Sequence, residues 1–152
     1  MRIILFLILN ISQFTTLNAQ NEKPNYNAAL ADSLGADEYG MKHYFLIILK
    51  TGTAKIEDKT IVNQLFKGHL ENIGKLAKEG KLVVAGPIEK NINQYRGIFI
   101  FNVKTKEEAE EILQTDPAIK ENLLAADIYK WYGSAALPLY LQHHETLQKT
   151  KM

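Results

Sequence analysis

Residues 44–50 read YFLIILK, and both their odd and their even positions are apolar up to Leu49. A strand exposed on one face should alternate between apolar and polar residues. The same two-sided pattern recurs from Ile98 to Phe101 in YRGIFIFNV. These aromatic and β-branched runs are strands, and each must be covered on two sides.

The other elements fall into place around them. Thr60 is the expected N-cap of a long helix running to Glu79, with Gly80 as its stop. Leu82 to Ala85 (LVVA) is a strand ended by Gly86-Pro87, and Tyr95 to Val103 is the next. Thr105 caps a helix through Leu113, with Glu107 and Glu108 in its first turn. Asp116-Pro117 opens a short helix, and Ala125 to Tyr132 (AADIYKWY) is the last strand. Ala28 to Leu34 suits a short helix ended by Gly35. The order is β-α-β-β-α-β, an α+β chain of the ferredoxin-like, split βαβ kind. Its two helices cover only one face of the sheet. The simplest cover for the other is the same sheet of a second subunit, which makes a homodimer.

The ends differ from this domain. Arg2, the apolar run Ile3 to Leu9 and Leu17-Asn18-Ala19 have the order of a secretory signal peptide, with cleavage after Ala19. That run is too short to span a bilayer, which takes roughly 20 apolar residues. The competing reading is a buried N-terminal strand. Residues 1–19 are thus expected to be a signal peptide, 20–42 an extension or linker, 43–133 the domain and 134–152 a partly helical tail. The mature protein is expected to be periplasmic or secreted, with no membrane span.

Composition excludes several classes. The 152 residues include 18 basic and 17 acidic side chains, which leaves no electrostatic case for nucleic acid. Cysteine is absent, so disulfides, thiolate nucleophiles, iron–sulfur clusters and cysteine-ligated zinc are excluded. No metal site or cofactor is expected. His143-His144 point about 100° apart on a helix and make a poor chelate.

His69 stands out, because it interrupts the apolar stripe of Val62, Leu65, Phe66, Ile73, Leu76 and Ala77. It is either a satisfied core histidine or one that faces a cavity. Asp116 reads as a plain N-cap, a role that does not prevent it from orienting an imidazole. Gly86, Pro87 and Gly97 read as strand-end and close-packing residues that could also line a pocket. Asp127 is a solvent-facing strand residue or a second carboxylate. Tyr95, Tyr129 and Trp131 are packing residues or stacking partners for an aromatic ligand. His43 has no evident partner.

His69-Leu70, Ala85-Gly86-Pro87, Gly97 and Asp116-Pro117, in this order and spacing, resemble the YciI-like (YCII-related) family. The resemblance covers Tyr44 to about Tyr132. It implies a dimeric α/β barrel of two ferredoxin-like sheets, with a pocket between helix and sheet centred on a histidine–aspartate pair. By motif position the pair is His69 and Asp116, with Gly86, Pro87 and Gly97 as substrate-binding candidates. Phe66 stands where many members have a basic residue, Asn122 where many have glycine, and Trp131 where many have proline. The function expected is cofactor-free acid–base catalysis, of lyase, isomerase or dehydrohalogenase type, on a small cyclic or aromatic-derived molecule. The alternatives are a non-catalytic small-molecule binding module of the envelope and an envelope interaction protein.

Overall fold

A computed structural model describes residues 25–150. The expected signal peptide lies outside the described residues. The chain runs α1 (Ala28–Leu34), β1 (Met41–Thr51), α2 (Lys59–Lys78), β2 (Leu82–Pro87), β3 (Tyr95–Phe101), α3 (Lys106–Leu113), α4 (Pro117–Lys120) and β4 (Leu124–Ser134). A 3-10 turn (Leu137–Tyr140) and α5 (Leu141–Leu147) follow. One antiparallel sheet has the order β2-β3-β1-β4, the ferredoxin-like arrangement expected from the sequence.

β1 and β4 run longer than expected and β3 stops at Phe101, not Val103; two further boundaries differ for local reasons. α2 is capped by Asp58, not Thr60: the Asp58 carboxylate accepts from Thr60 N at 2.7 Å. That bond holds the carboxyl below its usual range. β2 runs through Gly86-Pro87 because it is an edge strand. Ile88 N donates to Arg96 O on the neighbouring strand, so the ring nitrogen of Pro87 points outward, where no donor is needed.

Register assigns the strand residues to two faces. Phe45, Ile47 and Leu49 of β1 and Phe99 and Phe101 of β3 face α2, α3 and α4 and form the main core. Tyr44, Ile100 and the bulged Val83 form a second cluster on the opposite face. That face is partly covered from within the chain. Leu137 packs on this cluster, Tyr140 donates its hydroxyl to the Val83 carbonyl, and Tyr44 donates to Ser134 O at 2.9 Å. Trp131 joins them, its ring 5.8 Å from that of Tyr44. Gly133 makes room for the indole, since a Cβ there would fall 2.2 Å from Trp131 Cη2. The rest of the face is less covered: Leu46, Ile48 and Ile98 are half-buried, and Tyr129 is 53% exposed.

Residues Ala28 to Gly40 form α1 and a turn that is tied to the sheet. Asp37 accepts from Tyr39 N at 2.9 Å, from Met41 N at 3.0 Å and from the Tyr132 hydroxyl. The tyrosine is the main reason its carboxyl lies below the usual range. Lys42 Nζ donates to Leu34 O at 3.0 Å. At the other end of β1, Gly52 crosses the α4–β4 junction so closely that a Cβ would lie 1.9 Å from Asn122 O. Asn122 takes a left-handed φ of 56° there, a conformation asparagine tolerates.

Candidate functional site

α2 lays His69 against the sheet with 9% of its surface exposed. Its ring stacks on Phe99 (centroids 5.8 Å, planes 28° apart), and the Phe66 ring meets it edge-on at 6.2 Å. The apolar stripe thus does place the histidine inside.

The polar demand of the ring is met by Asp116, itself 1% exposed. His69 Nδ1 and Asp116 Oδ2 are 2.6 Å apart, a charge-assisted distance. The other oxygen, Oδ1, accepts from Ala118 N at 2.9 Å and caps α4. Asp116 therefore caps α4 with one oxygen and bonds the ring with the other. An ionised carboxylate only accepts, so beside an ionised Asp116 the proton of a neutral ring sits on Nδ1. Nε2 makes no hydrogen bond to the described residues, and none of their buried side-chain nitrogens or oxygens lacks a partner. Nε2 is therefore the ring nitrogen left without a bond among those residues. A histidine fixed at Nδ1 and open at Nε2 can take up or release a proton at a defined point.

The glycine and proline candidates divide between the two faces. Pro87 pairs with Gly97, and Gly97 shares the helix-side face with Phe99, two residues further along β3. Ala85 and Pro87 are exposed on that face, so the helix layer stops short of the β2 edge on the side where His69 meets Phe99. Gly97 is buried, and a Cβ there would lie 2.8 Å from Gly86 O. Gly86 itself pairs with Ile98 on the opposite face, with open space where its Cβ would be. Only its carbonyl approaches Gly97.

The remaining candidates lie elsewhere. Asp127 pairs with Lys50 at 2.7 Å on the second face. His43 packs on Tyr132, with ring centroids 5.2 Å apart. His143 and His144 are exposed on α5, and no cluster of metal-ligand residues occurs among the described residues. The sequence reading did not single out Phe99 and Gly68. Phe99 looked like any core strand residue. Gly68 carried a signal, because glycine within a helix costs about 1 kcal/mol relative to alanine.

A single antiparallel sheet with its helices on one face, a histidine–aspartate pair between them, and no metal cluster among the described residues define a small α+β protein with a polar site in its core. The chain belongs to the YCII-related domain family, whose model matches residues 41–132. Among solved structures it is similar to 5-chloro-2-hydroxyhydroquinone dehydrochlorinase (TftG) from Burkholderia phenoliruptrix AC1100, in complex with 2,5-dihydroxybenzoquinone. That match has 20% identity and a TM-score of 0.45, and covers 58% of this chain and 92% of the other. No curated protein matches the chain.

The two oxygens of Asp116 can be separated by substitution. Asparagine has one acceptor oxygen for two tasks. If it keeps the cap, it turns its NH2 to the ring and forces the proton onto Nε2. Asp116→Asn is therefore expected to fold. Asp116→Ala loses cap and ring partner together and should destabilise by about 3–5 kcal/mol, as breaking buried pairs does. Urea unfolding of the two variants checks this. Equal losses would show that the ring bond contributes nothing beyond the cap.

Proposed function

We propose that this protein is an acid–base catalyst that needs no cofactor, with His69 as the proton-transferring group and Asp116 as its orienting carboxylate. The supporting observation is the division of the imidazole: Nδ1 is bound to a buried carboxylate, and Nε2 bonds none of the described residues. Nε2 would remove a proton from a small cyclic or aromatic-derived substrate and return it at another atom or to a departing group. Asp116 would hold the tautomer and stabilise the imidazolium that forms. Lyase, isomerase and dehydrohalogenase reactions share this requirement. Gly97 and Pro87 lie on the ligand side of the sheet in this reading, with the Gly86 carbonyl behind them.

His69→Leu tests the role directly. Leucine suits the apolar stripe but leaves the buried Asp116 carboxylate without its ring partner, so the variant should fold with a loss of about 3–5 kcal/mol of stability. It should lose turnover and the thermal shift given by small aromatic acids or lactones. Asp116→Asn belongs in the same assay, since it leaves no buried carboxylate unpaired. A His69→Leu protein that binds and turns over like the wild type would remove the histidine from the mechanism. Ligand binding without turnover in the wild type would favour a binding module.

The reading includes a homodimer formed through the second sheet face. The strip of Leu46, Ile48, Ile98 and Tyr129 beside the tail supports it, since joining two such faces withdraws apolar surface around one twofold axis. Light scattering at micromolar concentration should give twice the chain mass. A stable monomer would mean that the tail from Ser134 onward is cover enough.

It also includes export to the periplasm or beyond, on the strength of the pattern from Arg2 to Ala19. Intact-mass measurement of protein from native cells should find a chain that begins at Gln20. A chain retaining residues 1–19 would refute export by cleavage.

A further inference from the structure

Gly68 sits inside α2 directly before His69, where alanine would make the better helix. The reason for a glycine lies outside the helix. A Cβ at residue 68 would lie 2.9 Å from Pro117 Cγ, 3.5 Å from its Cβ and 3.7 Å from its Cδ. Pro117 is the first residue of α4 and follows Asp116. Its ring has no long flexible end that could swing aside, so displacing it displaces the backbone next to Asp116.

A second contact lies one turn further along α2. Thr115 Oγ1 lies 3.2 Å from Asn72 Oδ1 and 2.7 Å from Ile112 O, both within reach of its one hydroxyl proton. Gly68 and Asn72 thus bracket His69 on α2, and Pro117 and Thr115 bracket Asp116 on the facing segment. The hydrogen bond between His69 and Asp116 lies between these two contacts. We infer that Gly68 is a positioning residue for the pair: its missing side chain sets the spacing of α2 and α4 at which Oδ2 reaches Nδ1, and so keeps the proton on Nδ1 and leaves Nε2 bare. This deepens the acid–base reading and rests on it for its consequence in catalysis. The geometric claim can be tested without it.

The experiment is long-range proton–nitrogen NMR on the full chain, which reports the nitrogen of the neutral His69 ring that holds the proton. The wild type should show the Nδ1–H form. Gly68→Ala should shift the ring toward the Nε2–H form that free histidine prefers. Adding Pro117→Ala removes the obstruction and should restore Nδ1–H. Turnover or ligand binding should fall about tenfold or more in Gly68→Ala and recover in the double variant, since misplacing a reacting group by about 1 Å costs on the order of a hundredfold. A folded Gly68→Ala protein with the wild-type tautomer overturns the inference. If Gly68→Ala does not fold, the double variant decides, and one that also fails to fold overturns it. A tautomer shift in a protein whose wild type turns nothing over upholds the positioning role and removes the catalytic reading. An unchanged tautomer beside normal turnover does the reverse.

Discussion

Oxygens of one buried carboxylate hold together two pieces of chain 47 residues apart. Asp116 Oδ1 accepts from Ala118 N at the start of α4, and Oδ2 accepts a hydrogen bond from His69 Nδ1 on α2. A buried carboxylate with an empty valence costs several kcal/mol, and so does a buried imidazole. Each therefore requires the other. The requirement fixes how α2 lies on the sheet, how close α4 comes to it and which imidazole nitrogen is left over. The core around the pair, from Phe99 to Ile119, is built to that spacing.

The same economy of space appears wherever a side chain has been omitted. Gly52, Gly68, Gly97 and Gly133 each lie where a Cβ would come within 3 Å of another group. At Gly52 and Gly97 the obstacle is a backbone carbonyl, at Gly68 a proline ring and at Gly133 the Trp131 indole. Two segments can then approach at distances that ordinary side chains forbid. Gly68 and Gly97 do so within the layers that carry His69 and Phe99, so the shape of the site depends on atoms that are absent as well as on those present.

The two-sided strands raise a different constraint. An apolar sheet with helices on one face must find a second cover. The chain meets part of that need itself: the tail places Leu137 on the cluster of Tyr44, Val83 and Ile100, and bonds Tyr140 to the Val83 carbonyl at the β2 bulge. The strip beside it, Leu46, Ile48, Ile98 and Tyr129, is left partly exposed. The folded segment from Ala28 to Met41 closes the far end of β1 through Asp37 and Tyr132. The additions outside the family's domain thus serve the sheet they flank.

The sequence alone determined the order of elements, because strand composition, capping residues and the glycine and proline stops act over a few neighbouring residues. It also marked His69 as anomalous and Asp116 as a cap, since each departs from or fits a local pattern. Local pattern could not say that the two meet, and only the resemblance to the family paired them, because a hydrogen bond across 47 residues leaves no trace in either neighbourhood. Nor could it rank Asp58 above Thr60 as the cap of α2, keep β2 intact through Pro87, or tell that Gly86 and Gly97 face opposite ways. Each of those depends on a neighbour: the carboxylate that reaches Thr60 N, the free edge beside Pro87, the register with β3. Tertiary structure decided them because only packing brings donor to acceptor and assigns a strand residue its face.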